Sequence, residues 1–151
     1  MVLFTRLSVL RCLCRVVLCL VMLTVSPVWA EYQVNGNVVL DTSTNLIWMQ
    51  ADDGVQRTWR EALAYCENLT LAGTSDWRLP NINELESLVD LERIAPTIDP
   101  VFSCRVDSFW SSSPYGGSSY SVWFVDFHSG SAPYGENTIA IRSVRCVRSG
   151  P

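Results

Sequence analysis

His128 is the single histidine of the chain and follows Asp126 by two residues. An imidazole near a carboxylate is ordinary material for general acid–base catalysis, and Asp126 with Glu136 is a second pair of that kind. Neither pair has a nucleophile beside it, and a lone histidine at a strand end usually lies on the surface. Asp126 and His128 are therefore read as ligand contacts, with catalysis as the minor alternative. Asp52-Asp53-Gly54 offers two carboxylates in a loop, too few oxygen ligands for calcium, and reads as a solvated turn. No C-x-x-C or Cys/His spacing is present, so neither a zinc site nor any other cofactor is expected.

Aromatic rings set among small residues are the more abundant material. Residues 112–119 (SSPYGGSS) and 131–137 (SAPYGEN) are loops by composition, and they carry Tyr115 and Tyr134. Tyr120, Trp110 and Trp123 lie close by in sequence. Rigid rings supply contact area and small residues supply adaptable hydrogen bonds, as in recognition surfaces; rings also stack on sugar faces. The expected ligand-contact set is Tyr115, Tyr120, Tyr134, Trp123, Asp126 and His128. Burial of Trp110 and Trp123 in the core is the competing reading.

These residues need a compartment and a scaffold. Arg6, Arg11 and Arg15 precede an apolar run at 16–25, and Val28 and Ala30 suit a cleavage site, so residues 1–30 read as a signal peptide. The run is about half the ~20 residues of a membrane span, and none is expected after its removal. Residues 31–151 then form one domain, secreted or periplasmic. They hold eight arginines against fifteen acids, a net charge of −7, which disfavours nucleic acid and anionic membrane as partners. Cys66, Cys104 and Cys146 remain, three pairings are open, and one thiol is left over.

The patterns predict short strands and two helices. Strands at 32–34 and 37–41 flank a turn at Asn35-Gly36, and 45–49 is a third. Thr58 with Glu61 caps a helix whose apolar face is Trp59, Ala62, Leu63, Cys66 and Leu69, ending near Gly73. Residues 76–89 (DWRLPNINELESLV) join a strand-like Trp77-Arg78-Leu79, a stop at Pro80 and a helix capped by Asn81 and Glu84, with Ile82, Leu85, Leu88 and Val89 inward. Arg78 is expected in a buried ion pair with Glu84, Glu61 or Asp76, so that Arg78→Ala would cost ~3–5 kcal/mol. Later strands are expected from 109, over 120–128 and over 138–147, the last with Val144 and Cys146 on one face. Arg145 and Arg148 are placed on its solvated face. The class is α+β.

The segments DTSTNLIWMQ, TWREALAYCENL, LAGTSDWRLPNINELESLVD, IDPVF, FWSSS, VWFVDFHSG and VRCVR, in that order, resemble the C-terminal domain of the Legionella collagen-like adhesin, a bacterial family largely of unknown function. That family is similar to C-type-lectin-like folds: first and last strands pair, two helices flank them, and a second small sheet carries ligand-facing loops. The resemblance implies a disulfide from first helix to last strand, here Cys66–Cys146, with Cys104 either buried or bridged to a partner. It implies an exported binding module for an extracellular glycan or protein; the alternative is a structural or assembly protein of the cell envelope, as an oligomer. The calcium triplets of sugar-binding lectins (Glu-Pro-Asn, Gln-Pro-Asp, Trp-Asn-Asp) are missing, so calcium-independent binding is expected.

Overall fold

A computed structural model of the chain describes residues 32–118, 120–134 and 136–151, with only the backbone of Glu136. The expected signal peptide lies outside them. The described residues fold as an α+β domain of two helices and two short antiparallel sheets. The first sheet runs β1 (Tyr32–Asn35), β2 (Val38–Asp41), β3 (Leu46–Met49), β7 (Val147–Ser149). The second runs β4 (Ser108–Pro114), β5 (Ser121–Asp126), β6 (Glu136–Asn137). The last strand pairs with β3 and leaves β1 at the edge, so the implied pairing of first and last strands is not found.

Strand alternation sorts the apolar residues into two cores. Val38, Met49, Trp110, Val122, Phe124 and Cys146 belong to one cluster, which the first helix covers through Ala62 and Cys66. Val39, Trp48, Phe109, Val125, Phe127 and Val147 belong to the other, which Leu85 and Leu88 cover. Register agrees residue by residue: Val38 faces Met49, Val39 faces Trp48, Phe109 faces Val125 and Trp110 faces Phe124. Successive residues point to opposite faces, so a strand covered on both sides must be apolar at both parities. That explains why VVL, LIWM and VWFV contain adjacent large apolar residues.

α1 (Trp59–Glu67) starts as its sequence dictates: the Glu61 carboxylate accepts both the Thr58 backbone N–H (2.9 Å) and its hydroxyl (2.7 Å). It ends at Asn68, whose side-chain amide donates to the Ala64 carbonyl, while Gly73 (φ +78°) serves a separate tight turn closing Leu71 on Thr74. α2 (Ile82–Glu86) is shorter than expected. The Ser87 hydroxyl donates back to the Glu84 carbonyl, competing with continuation of the helix, and Leu88 and Val89 follow in a turn that still points inward. The hairpin turn is one residue later than expected, at Gly36 (φ +62°) and Asn37, because Asn35 pairs with Val38.

Residues 138–147 depart furthest from expectation. In place of one strand, Arg142 and Ser143 make isolated bridges to Arg57 and Phe109, and only 147–149 is a strand. This segment joins the sheets: Ser143 exchanges backbone hydrogen bonds with Ser108 and Trp110 of β4, and the Cys146 carbonyl accepts from Met49 of β3. Cys146 is bonded to Cys66, as the family resemblance implied. Arg145, expected on a solvated face, is fully buried. One amino group of its guanidinium donates to the carbonyls of Met49 (2.6 Å) and Gln50 (2.7 Å), the other to that of Ser103 (3.1 Å). Ile139 and Ile141 are exposed, but residues 143–147 are buried at both parities, so no outward face exists at Arg145. Arg148 is held by Asp76 at 2.7 Å.

Candidate functional site

The second sheet presents its aromatics through a local irregularity. Trp110 faces Phe124 while Pro114 faces Val122, so β4 carries two extra residues between those pairs, a bulge. The serines of the bulge, of which Ser112 and Ser113 read from sequence as loop, are bonded. The Ser112 N–H donates to the Pro80 carbonyl (2.7 Å), the Ser113 hydroxyl accepts from Ile82 N–H (3.0 Å), and the Ser111 hydroxyl donates to the Trp123 carbonyl (2.7 Å). The bulge therefore ties β4 to the start of α2 and aims the chain outward at Tyr115.

Tyr115, Trp123 and Tyr134 come together there from three segments. The rings of Tyr115 and Tyr134 stack with centroids 4.3 Å apart and planes 15° apart. Trp123 meets them edge-on, at 5.7 Å from Tyr115 and 5.3 Å from Tyr134. Gly117 makes room: a Cβ there would lie 2.6 Å from the Tyr115 ring. The Tyr115 N–H donates to Ser121, and Pro133 accepts from Phe124, which docks both loops on β5. Trp110 is fully buried, but Trp123 is half-buried and belongs to neither core cluster, nor do the two tyrosines. Tyr134 is 57% exposed; Tyr120, 72% exposed, immediately precedes β5 and makes no ring contact with the trio among the described residues.

Asp126 and His128 lie elsewhere. Asp126 is three residues past Trp123 on β5, roughly 10 Å along and on the opposite face. Its carboxylate accepts the His128 backbone N–H (2.8 Å) and the Ser129 hydroxyl (3.2 Å), shaping the turn at the strand's end. Of the Asp126–Glu136 pair, the Glu136 side chain lies outside the described residues.

The WRLP segment is packed into the fold. Trp77, Leu79 and Pro80 are buried, and Arg78 exchanges both backbone hydrogen bonds with Val147. Its guanidinium grips Glu84 through two bonds, 2.7 and 2.8 Å, and Glu84 also accepts the Asn81 N–H. The expectation of a buried pair is corrected here: the Arg78 side chain is 43% exposed. Burial pushes the Glu84 carboxyl up, but the bonds from Arg78 and Asn81 and the guanidinium charge outweigh it and hold the group below its usual value. Arg78 is correspondingly raised.

Cys104 is the free thiol, half-buried beside Arg145. Burial pushes it above the usual thiol range, against the opposing pull of Arg145. Among the described residues, no three His, Cys, Asp or Glu side chains cluster to hold a metal ion, and no helix is long and apolar enough to cross a membrane. Sequence reasoning missed Arg145, Gly117 and the bulge; three consecutive serines between an aromatic strand and Pro-Tyr were the available signal. A family model, the Lcl C-terminal domain, matches residues 37–148. A search of curated proteins finds no match.

Proposed function

The chain belongs to the Lcl C-terminal domain family, and from that premise we propose that it is an exported, adhesin-like binding module without catalytic activity. It holds an extracellular glycan or protein on Tyr115, Trp123, Tyr134 and Tyr120, without calcium. One observation carries this reading: three rings gathered from three segments on the surface, outside both cores, so that packing does not account for their assembly. The rings are held by one another and by a bonded bulge, which lowers the entropy cost of presenting them to a ligand. The disulfide and the family both fit an extracellular or periplasmic location.

A glycan array probed with the purified protein, with and without chelator, tests the proposal, together with a binding screen against surface proteins. A ligand retained in chelator and weakened at least about tenfold by Tyr115→Ala or Tyr134→Ala is the expected result. A ligand lost on chelation overturns calcium independence. One bound equally by both tyrosine variants overturns the site.

A further inference from the structure

Ile94 and Leu91 are the most exposed large apolar residues among those described, at 92% and 77%, and the aromatic site uses neither. They stand three apart in the loop that follows α2. The loop is firmly held: Asp90 N–H donates to the Thr97 carbonyl, and Thr97 gives both its N–H (2.8 Å) and its hydroxyl (3.0 Å) to the Phe127 carbonyl. Val89 bridges Ile98 at its base, and Asp90 holds the Arg93 guanidinium at 2.7 Å and the Glu92 N–H at 3.0 Å. Gly130 backs the loop so closely that a Cβ there would come within 2.7 Å of Leu91.

Clefts flank this ridge on both sides. One, of about 510 Å³, is floored by Pro96, Ile98, Pro100 and Phe102; the other, of about 400 Å³, by Tyr32, Leu88 and Val89. Asp90, Glu92 and Asp99 rim them, and Arg93, 3.9 Å from Asp99, is the one cation among their linings. The local field is negative at Tyr32, whose phenol is pushed up to about 12, first by burial and then by Asp41, Asp99 and Asp90.

We propose that the Leu91–Ile94 ridge is a second docking surface, which takes a cationic apolar segment of a partner protein. Apolar side chains of that segment enter the two clefts, and its lysines or arginines face Glu92 and Asp99. Charge complementarity selects this occupant: an apolar tip ringed by carboxylates suits a basic amphipathic peptide and repels an anionic bilayer. The loop is already held by its own bonds, so docking carries little ordering cost on this side. The ridge packs at the Asp126–Gly130 end of β5, whereas the aromatic trio is built around Trp123, roughly 10 Å away along the strand, so the two surfaces share no residue and act independently.

Fluorescence anisotropy tests the proposal, with the purified disulfide-bonded protein titrated by a labelled amphipathic Leu/Lys peptide and by the same peptide with Glu at every Lys. The Lys peptide should bind at least about tenfold tighter than the Glu peptide, and more weakly as salt rises. Leu91→Ser with Ile94→Ser should weaken it at least about tenfold while leaving the thermal midpoint unchanged, since both side chains are exposed. Glu92→Gln with Asp99→Asn should weaken binding and flatten its salt dependence, and Tyr134→Ala should leave it unaltered. Absence of binding, equal affinity for the two peptides, or binding that survives the Leu91 and Ile94 substitutions overturns the proposal. So does sedimentation with anionic or zwitterionic vesicles that depends on those two residues, which would assign the ridge to lipid.

Discussion

Arg145 buries a positive charge where no carboxylate lies within ion-pair distance among the described residues, so its replacement tests how much its carbonyl bonds contribute to stability. Three carbonyls accept from it: Met49 in a fully buried bond, Gln50 and Ser103 in partly buried ones. The faces of Phe102 and Phe109 lie 5.2 and 5.5 Å from the guanidinium. Orphaning a buried acceptor costs ~1–3 kcal/mol, the two partly wetted ones less each, and emptying the stem's volume in a packed site adds ~2 kcal/mol. Against this stands relief of the guanidinium's own desolvation, several kcal/mol in a site where its Nε has no partner.

The balance for Arg145→Ala is a loss of about 3–5 kcal/mol. Arg145→Met refills the volume and leaves only the orphaned carbonyls against the desolvation relief, so about half that loss is expected. Urea unfolding at pH 7 with the disulfide intact, followed by tryptophan fluorescence and extrapolated linearly, gives both numbers. Where the alanine protein does not fold, the methionine protein supplies the measurement. An Arg145→Met protein as stable as its parent would refute the reasoning, because desolvation would then outweigh the three carbonyl bonds.

The Cys66–Cys146 bridge spans 80 residues, so Cys66→Ala with Cys146→Ala should cost roughly 4–5 kcal/mol in the chain-entropy model, and an unmoved urea midpoint would contradict it. Arg78→Ala should cost only about 1 kcal/mol because the pair is half open to water, whereas Glu84→Ala, which also frees the Asn81 N–H, should cost about 1–2. Glu84 titrates below its unfolded value near ~4.3, so the folded state binds fewer protons; its stabilisation is present above that pH and fades as pH falls through the lower folded value. Glu84→Gln should accordingly flatten the acid limb of stability against pH, and an identical limb in both proteins would refute the assignment. Cys104, raised by burial, should react with iodoacetamide at pH 8 at least about tenfold more slowly in the folded protein than in denaturant; equal rates would show an open thiol.

What was legible in the sequence was whatever local chemistry decides. Thr58 with Glu61 and Asn81 with Glu84 cap their helices through contacts three residues long, and such signals survive any tertiary arrangement. The class, the helical face through Cys66 and the rings at Tyr115 and Tyr134 follow in the same way. Arg145 was illegible because alternation predicts an outward face only where one side of a strand meets water. Its segment is wedged between two sheets, so parity carries no information there. The closing of the serine bulge on Pro80 was hidden too, since that bond joins residues 32 apart and serine composition alone reads as flexible. Leu91 and Ile94 fall out of phase with the α2 stripe, a hint that they leave the core, but only the clefts beside them give that exposure a use.

The placement of the aromatic trio has a consequence for how this fold tolerates change. β2–β5 and β7 send apolar residues into both cores, so most of these are fixed by packing, and large-to-small substitutions among them cost about 2–5 kcal/mol each. Tyr115, Trp123 and Tyr134 escape that constraint, because they belong to neither core cluster and their loops are fastened by backbone bonds that any residue but proline can make. Replacing one ring therefore loses two aromatic pairs, each worth ~0.5–1.5 kcal/mol, and little of the core. A surface that can be altered at so small a cost in stability, on a frame stapled across 80 residues, is physically suited to changing its ligand while keeping its fold. The same independence predicts that Tyr115→Ala and Tyr134→Ala proteins remain folded, and so report on binding alone.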